Sequence, residues 1–170
     1  MRRELKEPLY EQFSLGLLGL AAQFVRDRKP ARSGDLQFVW RATNDVTCYI
    51  ALEVDGYHDR FTVSVAWSRK DRFPSRPSLS PAILENDELR LRLIRLWERK
   101  DIWWDINSAA RQAGDCEEVG FDILGRLNPP VLRDALEQLP LLVNDCLGKI
   151  AKYAIPYFDR VIETSANHGQ

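Results

Sequence analysis

Leu36-Gln37-Phe38-Val39-Trp40-Arg41, then Val46-Thr47-Cys48-Tyr49-Ile50-Ala51-Leu52-Glu53-Val54, then Phe61-Thr62-Val63-Ser64-Val65-Ala66-Trp67-Ser68 carry a large apolar side chain at every second residue. A period of two gathers these side chains on one face of an extended chain, so each run reads as a strand with one face toward a core. Thr43-Asn44-Asp45 and Asp55-Gly56 supply the turns between them. Connections this short join antiparallel neighbours only, and a three-strand meander follows.

The segment Glu88 to Trp97 admits two readings. Leu89, Leu93, Leu96 and Trp97 fit one face of a helix, whereas Leu89, Leu91 and Leu93 alternating with Arg90, Arg92 and Ile94 fit a strand. The strand is taken, because it completes a four-stranded sheet and no helix cap precedes the segment. Between it and the meander, residues 69 to 86 contain Pro74, Pro77 and Pro81 and form the longest irregular stretch, a length that marks functional or mobile loops.

Helices flank the sheet at both ends of the chain. From about Arg3 to Arg28, Phe13, Leu17, Leu20 and Phe24 recur at helical spacing, with Leu18, Ala21, Ala22 and Val25 widening the face and Lys29-Pro30 ending it. Gly16 and Gly19 each cost about 1 kcal/mol relative to Ala inside a helix, which suits a close approach to other backbone. Asn128-Pro129 opens a second helix through Val143, kinked at Pro140, and a last segment runs from Ile150 to Ile162. The fold expected is therefore α+β: an antiparallel sheet of about four strands packed against an N-terminal helix and C-terminal helices. Residues 1–170 form a single domain, with a frayed tail after about residue 164.

Composition narrows the function classes. With 170 residues, 45% apolar, nine Gly and nine Pro, the chain is neither disordered nor low-complexity. Lys and Arg number 24 against 25 Asp and Glu, so no overall field attracts nucleic acid or anionic membrane. The middle is basic, residues 68 to 100 holding nine basic and five acidic groups, while residues 101 to 170 hold six and eleven. The apolar run Phe13 to Val25 reads as a buried helix: it is short of the roughly 20 residues needed to cross a bilayer, and its acidic approach is unlike a signal peptide. The expected location is cytoplasmic.

Catalytic groupings are sparse. His58 sits in a turn, where a solvated imidazole is the ordinary state, and His168 is in the tail; Cys48, Cys116 and Cys146 lie far apart with no neighbouring base. Neither a nucleophile elbow nor a phosphate-binding glycine loop is present. Asp101, Asp105, Asp115, Glu117 and Glu118 could be imagined around a hard cation, but acids in loops and helix starts are ordinarily solvated or capping. The reading is no cofactor and no metal, and it leans away from an enzyme.

Three stretches, in order, carry a resemblance: Phe61 to Ser68; Leu91-Arg92-Leu93 through Asp101-Ile102-Trp103-Trp104-Asp105; and Tyr153-Ala154-Ile155-Pro156-Tyr157-Phe158. The chain resembles, over about residues 5 to 163, a bacterial family catalogued as domain of unknown function 4304. The resemblance implies a small α+β domain and brings no activity, cofactor or catalytic residue with it. Other small bacterial α+β domains of this build serve as immunity or adaptor proteins, an analogy at the level of fold.

What remains is basic and aromatic. On a strand with its leucines inward, Arg90 and Arg92 share the other face, close to the Arg69, Arg72 and Arg76 loop and to Trp103 and Trp104. Arg and Trp dominate binding hot spots, and these seven residues form the candidate binding surface. The structural alternative is that Arg90 and Arg92 pair with Glu53 or other cross-strand acids and that one tryptophan is core. A non-catalytic interaction protein whose partner has an acidic surface is the first reading; a small enzyme or ligand-binding domain for an anionic metabolite is the second. RNA binding comes third, the neutral charge counting against it.

Overall fold

Every fourth residue of the first helix is apolar, and the chain folds accordingly. Leu5, Leu9, Phe13 and Leu17 of α1 (Arg3–Leu20) are all fully buried. Burial of each such side chain contributes about 1.5–3 kcal/mol. The helix stops eight residues short of the Arg28 expected from periodicity. The Ala21 N–H returns to the Leu17 carbonyl, the Phe24 N–H to that of Ala21, and the chain leaves as β1 (Val25–Arg26). This tight turn swings Phe24 into the core against Trp40 and Phe158, and it leaves Leu18, Leu20 and Val25 exposed. A buried Phe at the helical interval outside the helix explains why the period alone overran the end.

The computed structural model describes residues 1–27, 36–42, 45–82, 87–98, 103–113 and 131–167. Its sheet comprises β1, β2 (Leu36–Arg41), β3 (Thr47–Val54), β4 (Arg60–Ser68) and β5 (Glu88–Arg92) in sequential order, each pair antiparallel. A sixth strand, β6 (Trp104–Asp105), pairs with Arg60 and Phe61 of β4, beyond the stretch Ser64–Ser68 that pairs with β5. The architecture is α+β as expected: among the described residues, the four main strands β2 to β5 are joined by β1 and β6, each two residues long and too short for alternation to be visible. The segment read as a strand from Glu88 to Trp97 is a strand only through Arg92. Leu93–Leu96 then form a 3₁₀ turn, which keeps Leu93 and Ile94 both buried.

On the core face stand Phe38, Ile50, Leu52, Phe61, Val63, Val65, Trp67, Leu89 and Leu91, in one buried cluster with α1 and the C-terminal helices. Those are α3 (Leu132–Lys149) and α4 (Ile155–Asn167), joined without a break by a π turn over Ile150–Ala154. A shorter helix, α2 (Ile106–Ala113), follows β6. Pro156 has no N–H and its ring would strike a carbonyl one turn earlier in a regular helix. Just upstream the ladder widens, the Ile155 N–H reaching the Ile150 carbonyl. Pro140 is exposed within α3, which continues through it.

Asn128-Pro129, expected to open this helix, lies outside the described residues, where the first described helical residue is Leu132. At the other end of the chain, α4 continues to Asn167, and residues 168–170 lie outside the described residues. Ser165 is buried, its hydroxyl donating to the Val161 carbonyl. Gly16 meets the C-terminal helix as a close approach requires, but against a side chain: a Cβ there would collide with Leu147 Cδ1, whereas one at Gly19 would meet open space. Among the described residues no helix is long and apolar enough to cross a membrane.

Candidate functional site

The second face of the sheet is where the candidate residues divide. Strand alternation sends Glu53, Arg60, Thr62, Ser64, Ala66, Arg90 and Arg92 away from the helices. Ser64 and Ala66 are nonetheless buried, because the irregular stretch after β4 folds back over them. Phe73 from that stretch packs edge-on against Tyr49, with Val39 and Ala66 completing a small second cluster.

Expected to be functional or mobile, this loop is pinned at several points. The Arg72 Nε and Nη2 groups donate to both carboxylate oxygens of Glu88 at 2.8 and 2.7 Å, and Lys70 pairs with Asp87 at 2.9 Å. Asp71 accepts from Thr47, and the Ser78 N–H donates to the Arg90 carbonyl on the outer edge of β5.

Arg90 belongs to this covering layer. It reaches across the small Ala66 and Ser64 to Glu53, whose Oε1 accepts both its Nη2 (2.7 Å) and the Ser64 hydroxyl (2.6 Å). Its guanidinium lies 4.9 Å from the Phe73 ring centre, and the Arg90 and Glu53 side chains are only 11% and 14% exposed. The structural alternative therefore holds for Arg90.

Arg92 behaves differently. Its guanidinium carbon sits 4.5 Å from the ring centre of half-buried Trp103, while that of Arg60 lies 4.9 Å from the same centre. Arg60 is neutralised by Asp55 through Nε (2.9 Å) and Nη2 (2.8 Å). The Asp55 carboxyl lies well below the ordinary carboxylate range: burial opposes this, but the Tyr57 N–H, the His58 ring, the Arg60 guanidinium and the His58 N–H outweigh it. Arg41, Arg60, Arg72 and Arg90 thus each hold a carboxylate, and Arg92 alone of these five holds none among the described residues.

The remaining candidates are dispersed. Trp104 points to the core face, stacked on Phe61 with its indole N–H donating to Asp145 at 2.9 Å. Arg69 turns toward α4 and donates to the Ser165 hydroxyl. Arg72 is taken by Glu88, and Arg76 is exposed in the loop. Arg92 and Trp103 come together, and Arg60, absent from the expected set, joins them. Its signal was present in the alternation Arg60, Thr62, Ser64 on β4, but only the pairing of β6 beside Arg60 brings it to Trp103.

Neither the described cysteines nor His58 is poised as a nucleophile or base. Burial pushes the Cys48 thiol up to about 12, with the Asp159 charge adding to it, and the fully buried Cys146 thiol is pushed well above its ordinary value. His58, expected to be solvated, is held by Asp55 through Nδ1 at 3.0 Å and is 13% exposed. Of the imagined cation ligands, Asp105 caps α2 by accepting the Ser108 N–H, and Asp101, Asp115, Glu117 and Glu118 lie outside the described residues. A cleft of about 210 Å³ opens beside Tyr49 and Phe73, bordered by Asp27, Gln37, Arg41 and Asp71. Small-molecule sites usually enclose about 300–1,000 Å³. No family model, curated protein or solved structure matches the chain.

Proposed function

We propose that this chain is a non-catalytic protein-interaction domain, adaptor-like or immunity-like, whose partner presents acidic groups to the sheet face bearing Arg92 and Trp103. One observation carries the reading: on a face where Arg60 and Arg90 are each neutralised internally, Arg92 is half-buried, stacked on an indole and, among the described residues, without a counter-charge. Leaving a cation partly desolvated and unpaired costs free energy, which a partner's carboxylate would offset. The raised thiols weigh against Cys48 and Cys146 as nucleophiles in the alternative, an enzyme or binding domain for an anionic metabolite. Membership of the bacterial family called domain of unknown function 4304 and a cytoplasmic location belong to the same proposal. Its support is the order of the three motifs and the charged flanks of Phe13 to Val25.

Affinity capture from native lysate tests it, with Arg92→Glu compared with the unmodified chain. The variant should fold normally and lose the captured partner, the difference growing at low salt as screening weakens. Capture of the same proteins by both forms would count against this face.

A further inference from the structure

We infer that the Nε and Nη2 edge of Arg92 is a receptor for one carboxylate, that of an Asp or Glu side chain in an acidic peptide segment, with Trp103 as its platform. The inference rests on the acidic-partner reading and narrows it to an atom-level contact. In a guanidinium, Nη1 lies on the Cδ side, while Nε–H and one N–H of Nη2 point the same way and match the two oxygens of a carboxylate. In Arg92, Nη1 is buried without a hydrogen-bond partner, and Nε and Nη2 donate to no oxygen among the described residues. The indole under the guanidinium fixes the plane of the group, so its Nε and Nη2 edge is held ready and little side-chain entropy is lost on contact.

Charge favours the smaller anion. Arg60 is answered by Asp55 and Arg90 by Glu53, so Arg92 is the guanidinium of the three that holds no carboxylate among the described residues, and Asp105 stands opposite Arg60 in the strand register. A carboxylate answers that guanidinium with a single charge. A phosphate group, at about −1.5 to −2, would bring more negative charge to a face that already carries Glu53, Asp55 and Asp105.

The test uses the full chain labelled with ¹⁵N, following the Arg92 Nε–H and Trp103 indole N–H resonances. Three peptides are titrated: alternating Glu and Gly, its Gln and Gly counterpart, and its phosphoserine and Gly counterpart. The Glu peptide should shift both resonances and the Gln peptide neither. Arg92→Lys, which keeps the charge but loses the paired donors, should weaken Glu-peptide binding about tenfold or more with an unchanged melting temperature. Equal binding by Arg92→Lys, tighter binding of the phosphoserine peptide, or no binding of the Glu peptide at millimolar concentration would overturn the inference. A Glu peptide that binds while Arg92 stays unmoved would also overturn it, yet leave the acidic-partner reading standing. Capture of the same lysate proteins by Arg92→Glu would remove that reading as well.

Discussion

Arg90 and Arg92 are two residues apart on one strand and face the same way, but their energetics should be opposite. Arg90→Met strands the Glu53 carboxylate, which is only 14% exposed, and should cost about 2 kcal/mol in urea unfolding, below the range for a fully buried pair. Arg92→Met removes a cation that no carboxylate of the described residues balances, losing a stacking contact worth roughly 0.5–1 kcal/mol while relieving desolvation, so stability should stay within about 0.5 kcal/mol. Equal losses from the two would show that both arginines are structural. Alternation in Leu89-Arg90-Leu91-Arg92 was enough to place both on one face. Which acid each could reach was not legible, because Glu53 lies two strands away and the span depends on Ala66 and Ser64 being small.

At the scale of elements, the two glycines of α1 separate propensity from packing. Gly19→Ala adds a Cβ into open space and should stabilise the protein by about 0.5–1 kcal/mol through helix propensity alone. Gly16→Val must displace Leu147 and brings a β-branched side chain into the helix–helix contact, so a loss of about 1–3 kcal/mol is expected. Thermal unfolding of the two variants reads the contrast directly, and a Gly16→Val protein as stable as the parent would contradict this packing. The long strands were readable because alternation is a local property. The end of α1 was not, since Phe24 satisfies the helical interval while the core demand it meets is tertiary; β1 and β6 exist only through their partners on β2 and β4.

For the whole molecule, the turn between β3 and β4 gathers distant parts of the chain. Arg2 donates to Asp59 through both its backbone N–H and its Nε, the amino terminus bonds the Asp55 carbonyl, and the Ile106 N–H bonds that of Asp59. Because folding depresses the Asp55 carboxyl below its ordinary 3.8, its contribution is fully present above that value and is lost as pH falls through the lower, folded-state value. Stability should therefore decline below about pH 4, and Asp55→Asn should flatten that acid limb while lowering the neutral plateau. A parallel pH dependence in the variant would contradict the assignment.

The π turn between α3 and α4 has a consequence in angular phase. A regular helix advances about 100° per residue, so a stripe stepping by nearly four residues drifts around the axis over a long helix. The buried stripe here runs Ala135, Leu139, Val143, Cys146, Ile150, Ala154, Tyr157, Val161, Ser165. Thirty residues at the regular pitch would rotate its end about a third of a turn from its start. One extra residue in the widened turn resets that rotation. It is this reset that aims the Tyr157 hydroxyl at both the Trp67 indole N–H and the Ala82 carbonyl, 3.1 Å from each.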